Sequence, residues 1–62
     1  MTNYRVENIF ETYGKGIKIE KANTPYEAAE KAQRLPWRHK DDLIRQHVTI
    51  LDGTKQTWIF EQ

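Results

Sequence analysis

A chain of 62 residues with no cysteine is one small domain that holds neither a disulfide nor a thiolate metal site. Its net charge of +1, from ten basic and nine acidic residues, lacks the basic excess of a dedicated nucleic-acid binder. The N-terminal stretch reads as neither a secretory leader nor a membrane span, so we expect a cytoplasmic protein.

The first third of the chain predicts a β-hairpin. Residues 3–12 alternate between apolar and polar side chains, which is typical of a half-buried strand. Residues 13–16 contain two glycines and predict the turn. Residues 17–22 alternate again, and we expect Ile17 and Ile19 to face the core.

A helix start follows, and it is the clearest local pattern in the sequence. Thr24 is placed as the N-cap, Pro25 at the first helical position, and Glu27 where it completes a capping box. Residues 25–35 are rich in good helix formers and carry an alanine stripe, and Pro36 ends the predicted helix. The alanines would let this helix sit close to a sheet.

The last third predicts a second hairpin. Residues 36–42 form a loop or a single turn. Residues 43–51 favour a strand, although the first two of them could also belong to a short helical turn. The pair Asp52-Gly53 predicts the hairpin turn, and residues 56–61 alternate as the last strand.

The order β-β-α-β-β predicts an α+β fold in one domain, residues 1–62, with a four-stranded antiparallel sheet and one helix packed on one face. The other sheet face then meets solvent or a partner, and we expect Ile9, Leu51 and Ile59 there. The expected core consists of Tyr4, Val6, Phe10, Ile17, Ile19, Ala28, Ala29, Ala32, Leu35, Val48, Ile50, Trp58 and Phe60.

The stretch from Ile19 to Ala32 resembles a pattern shared by many unrelated small α+β domains, in which a strand leads into a capped helix. In size and polarity the chain is also similar to small accessory proteins of phages, plasmids and bacterial genomes. Neither resemblance assigns a role to a particular residue.

We therefore expect a non-catalytic interaction or accessory module that uses no cofactor. It would bind a protein partner, or itself as a homodimer, through the open sheet face or an edge strand. The residues predicted to carry this binding are Trp37, Arg38, Arg45 and Ile59.

A basic segment supports an alternative, a nucleic-acid-binding accessory domain. Cations around an aromatic ring can hold phosphates while the ring stacks on a base. The same cations also suit a solvated helix end, where they complement the helix dipole. The residues of this alternative are Lys31, Arg34, Trp37, Arg38 and Lys40.

The two histidines suggest metal binding or catalysis only weakly. His39, Asp41, Asp42 and His47 are the one set that could ligate a metal, and we interpret them as solvated loop charge. Cleavage of RNA by His39 and His47, assisted by Tyr13, Arg38 and Lys40, would need a concave site that a chain this short can hardly form. We therefore expect neither an enzyme nor a metal protein.

Overall fold

The computed structural model describes residues 1–12, 14–34 and 40–61, and for Lys40 the backbone alone. Within these residues, four antiparallel strands form one sheet in the order β2-β1-β3-β4, and a helix packs on one face. The predicted α+β fold with β-β-α-β-β order is confirmed. The elements are β1 (Thr2–Phe10), β2 (Gly14–Ala22), α1 (Pro25–Gln33), a 3-10 turn (Lys40–Asp42), β3 (Leu43–Ile50) and β4 (Thr57–Glu61).

The predicted N-cap at Thr24 and the predicted position of Pro25 at the start of helix α1 are confirmed. The Thr24 side-chain oxygen accepts a hydrogen bond of 3.1 Å from the backbone N–H of Glu27, and Pro25 occupies the first turn. The Glu27 carboxylate lies 3.5 Å from the ammonium of Lys31, one turn further on. The described helix ends at Gln33, and the predicted end at Leu35 lies outside the described residues.

The core lies between α1 and the inner face of the sheet. Three alanines of α1 are buried there, and their small side chains allow the helix to approach the strands closely. Trp58 is half-buried and meets Tyr4 edge-on, with ring centroids 6.3 Å apart. The buried apolar residues are Tyr4, Val6, Phe10, Ala22, Ala28, Ala29, Ala32 and Val48.

Strand β2 is turned the other way from the sequence prediction. Ile17 and Ile19, expected in the core, are 53% and 58% exposed on the face opposite the helix. Lys18 and Glu20 alternate with them and are half-buried towards the helix. The placement of both isoleucines in the core was therefore wrong.

The length of the first turn explains this reversal. Phe10 pairs with Gly14, so β2 already begins at Gly14, inside the stretch 13–16 that was predicted to be the turn. Residues directly opposite each other in an antiparallel pair share a face, and Val6 lies opposite Lys18. A shift of one residue in this register would turn every β2 side chain to the other face. Gly14 has a φ of 107°, which an L side chain rarely adopts.

The second hairpin confirms the turn predicted at Asp52-Gly53. Gly53 takes a φ of 65°, and Lys55 follows with a φ of 54°. The hairpin is closed by a hydrogen bond of 2.9 Å from the Ile50 N–H to the Gln56 carbonyl. As a result, β4 lies at one edge of the sheet and β2 at the other.

Candidate interaction surface

The sheet face opposite α1, which we call the open face, collects alternate side chains from all four strands. One row across it runs from Ile17 through Glu7 and His47 to Ile59, as the strand registers require. The neighbouring rows carry arginine, threonine and further apolar side chains. The open face consists of Asn3, Arg5, Glu7, Ile9, Lys15, Ile17, Ile19, Lys21, Arg45, His47, Thr49, Thr57, Ile59 and Glu61.

Exposed isoleucines lie on both edge strands of this face. Ile17 and Ile19 belong to β2, and Ile59, which is 60% exposed, belongs to β4. Three strand spacings of about 4.8 Å separate these edges by about 14 Å. The open face therefore has two apolar flanks rather than one apolar centre.

Between the flanks lies a strip of charged side chains with Glu7 in the middle. One carboxylate oxygen of Glu7 is 3.6 Å from Nδ1 of His47, and the other is 3.9 Å from Nη2 of Arg5. The Glu7 side chain is only 17% exposed, so it is more buried than most carboxylates. Arg45 and Glu61 form a further ion pair at 3.5 Å.

The strip contains one unsatisfied polar atom. Nε2 of His47 is buried and has no hydrogen-bond partner among the residues that the structure describes. Buried polar atoms are nearly always hydrogen-bonded, so an orphaned nitrogen calls for an explanation. The His47 side chain is 32% exposed in total, so Nε2 is on the part of the ring that is turned away from solvent.

A cleft of about 290 Å³ lies on the opposite side of the sheet, between α1 and β4. Tyr26 and Phe60 stand beside it in an edge-on contact, with centroids 6.1 Å apart. Glu30 lies on the helix wall, Glu61 adjoins the cleft at the end of β4, and the fully buried Gln46 lies at its base. Its aromatic lining, with Glu30 beside it, makes this cleft the second candidate site.

The amides at the base of the cleft are already bonded to one another. Gln46 Nε2 donates to Asn8 Oδ1 at 2.8 Å and to the Ala29 carbonyl at 3.0 Å. Gln46 Oε1 accepts from Gln33 Nε2 at 2.6 Å. We interpret this network as a structural link between helix and sheet, because its members satisfy each other without a ligand.

Two of the four residues predicted to bind a protein partner meet on the open face. Arg45 and Ile59 lie on adjacent strands, where Ile59 pairs with His47, two residues from Arg45. Trp37 and Arg38 lie outside the described residues. The structure thus brings the first two together and leaves the other two as predictions.

The sequence analysis missed most of the open face. Ile17 and Ile19 were assigned to the core, while His47 was considered only as a metal ligand or catalytic group. Arg5 and Glu7 were given no binding role. The signal that would have found the isoleucines is the length of the first loop, since an odd number of loop residues places them opposite outward-facing residues of β1.

The basic residues of the nucleic-acid alternative are only partly described. Lys31 donates from Nζ to the Lys21 carbonyl at 2.6 Å, so its charge is engaged between helix and strand. Arg34 is exposed at the end of α1. Trp37, Arg38 and the Lys40 side chain lie outside the described residues.

Across the described ranges, no three histidine, aspartate or glutamate side chains are grouped so that they could hold a metal ion. None of the described helices is both long and apolar enough to cross a bilayer. The fold and the surface define a small α+β domain with an uncovered sheet face. No protein-family model matches the chain, and no significant match is found among curated proteins or solved structures.

Proposed function

We propose that this protein is a non-catalytic interaction module that binds a protein partner through its open face. The observation that carries the proposal is the orientation of β2, which directs Ile17 and Ile19 to solvent and Lys18 towards the helix. Exposed apolar side chains grouped on a face with a polar surround are typical of binding surfaces.

The charged strip suits such a surface because its charges are already paired. Covering Glu7 costs less when Arg5 and His47 stay beside it than it would for an isolated carboxylate. The partner that fits has apolar side chains over both flanks and polar groups over the centre.

The proposal is tested by comparing two matched surface variants. Tagged wild-type protein, the double variant Ile17→Ser/Ile19→Ser and the control Tyr26→Ser are used to capture proteins from the source cells. Tyr26 is 62% exposed but lies on the helix side of the sheet. Any protein captured by wild type is then purified and titrated against all three.

We expect the double isoleucine variant to weaken binding of the purified partner by more than about tenfold, because burial of both side chains is lost. The Tyr26→Ser variant should bind like wild type. Unchanged binding by the double variant, or an equal loss in the control, would contradict a role of the open face.

A further inference from the structure

The pairing of β4 with β3 determines which backbone N–H and C=O groups of β4 point to its free edge. In the β3–β4 pair, the Ile50 N–H bonds the Gln56 carbonyl at 2.9 Å. Hydrogen-bonded and non-bonded pairs alternate along an antiparallel ladder, so Trp58 and Phe60 direct their backbone groups to β3. Thr57, Ile59 and Glu61 therefore direct their N–H and C=O groups to the free edge.

These outward groups are self-complementary around Ile59. If two copies of β4 lie antiparallel with Ile59 on the two-fold axis, Ile59 pairs with itself and Thr57 pairs with Glu61. Each of these is a position where both backbone hydrogen bonds can form. No like charges lie directly opposite each other, since Glu61 faces a threonine.

The inner face of this arrangement is also favourable. Trp58 of one copy lies opposite Phe60 of the other, in a non-hydrogen-bonded pair where side chains approach closely. Both rings are half-buried in the single chain, because α1 packs mainly over β1, β2 and β3. A second β4 would cover the sides of the rings that the helix leaves open.

The other free edge of the sheet is protected. Strand β2 carries Lys15, Lys18 and Lys21, and a pairing centred on Lys18 would place it against itself. Lysines along an edge strand are a common device against edge-to-edge pairing. Within the described strands β4 contains no lysine, and its one charged residue, Glu61, is at the end.

We propose that β4 is a homodimerisation edge, at which a second copy of the chain adds antiparallel about Ile59 to form a continuous sheet. This goes beyond the proposed function, because the dimer forms through the backbone edge of β4, whereas the partner binds side chains of the open face. The two surfaces meet at Ile59, whose side chain belongs to the face and whose backbone belongs to the edge. A two-fold axis perpendicular to the sheet places both open faces on the same side, so the dimer presents a doubled binding surface.

The test places a charged residue at position 59, on the two-fold axis, and measures the mass in solution by light scattering. Wild type should be dimeric in the upper micromolar range. Ile59→Lys and Ile59→Glu should each be monomeric there, because each places like charges directly opposite one another. An equimolar mixture of the two variants should recover the dimer mass, since the opposed charges are then unlike.

A second pair of variants tests the backbone contact. Ile59→Pro removes an N–H that points to the free edge and spares the bonds to β3, whereas Ile59→Val retains the N–H. We expect Ile59→Pro to raise the dissociation constant of the dimer at least about tenfold and Ile59→Val to leave it within about threefold. Circular dichroism tests whether each variant is folded. If Ile59→Pro is unfolded, the equimolar mixture of the two charged variants decides whether β4 forms the dimer contact.

Three results would overturn the proposal: a wild-type monomer up to about 1 mM, a mixture of charged variants that stays monomeric, or a dimer that a folded Ile59→Pro variant retains. The double variant Ile17→Ser/Ile19→Ser separates this proposal from the previous one. It should keep the dimer and lose the partner, so failure at the edge and failure at the open face give different results.

Discussion

Gln46 is the largest fully buried side chain among the described residues, although it is polar. Its amide is the donor to Asn8 Oδ1 at 2.8 Å. Gln46→Met keeps the approximate length of the side chain but leaves the Asn8 oxygen buried without this donor. We expect the free energy of unfolding to fall by about 1–3 kcal/mol, as measured by urea denaturation.

A double variant is the control for this hydrogen bond. Asn8→Leu combined with Gln46→Met removes both partners, so neither polar group is left unpaired by the other's loss. The free energy of unfolding should therefore fall less in the double variant than the sum of the decreases in the two single variants. Additive costs would contradict a direct bond between the two amides.

The N-cap supplies a second test at a single position. Thr24→Ala removes the acceptor for the Glu27 N–H and should lower the free energy of unfolding by about 1 kcal/mol. Thr24→Ser keeps the hydroxyl and should stay within about 0.5 kcal/mol of wild type. Thermal and urea denaturation measure both, and equal losses in the two variants would argue against a capping role.

Among the elements, the orientation of β2 makes the most specific prediction. Ile17→Ser and Ile19→Ser should each change the free energy of unfolding by no more than about 0.5 kcal/mol, because both side chains are exposed. Val6→Ala, in the fully buried centre of β1, should cost about 2 kcal/mol. If the isoleucine variants cost as much as Val6→Ala, β2 faces the helix instead.

Elements that are determined by residues close together in the sequence could be predicted from it. The capped start of α1 needs only Thr24, Pro25 and Glu27, which lie within one turn, and the strand alternation of β1 needs only its own residues. The sheet face on which Ile17 and Ile19 of β2 lie could not be predicted in this way. It depends on whether the loop before Gly14 has an odd or an even number of residues, and the pattern of β2 itself fits either face.

The candidate site was predicted only in part for the same reason. Ile59 was expected on the second face, and it lies there, because β4 alternates regularly after a well-marked turn. The strip around Glu7 and His47 depends on pairing between β1 and β3, which are far apart in sequence. Such long-range registers are set by the whole sheet, so a local pattern does not reveal them.

For the whole molecule, the near balance of charge makes a prediction about nucleic acids. The net charge is +1, and Lys31 is engaged with Lys21 and Glu27. We expect no binding to a mixed pool of RNA and DNA at about 150 mM salt. Fluorescence anisotropy at several salt concentrations measures this, and tight binding that weakens steeply with salt and is lost in Arg34→Ala would favour the nucleic-acid alternative.

The open face and the β4 edge also give the whole molecule a consistent organisation. The helix and core lie on one side of the sheet, and the exposed Ile17, Ile19 and Ile59 lie on the other. Pairing through β4 would extend the sheet without covering the open face. Self-association and partner binding are therefore compatible in one assembly.

The most direct test of partner binding through the open face is photo-crosslinking inside the source cells. A benzoyl-phenylalanine is placed at Ile19 in one variant and at Tyr26 in another, two exposed positions on opposite sides of the sheet. We predict a crosslinked product with a second protein from position 19 and none of that mass from position 26. The same product from both positions, or from position 26 alone, would contradict partner binding at the open face.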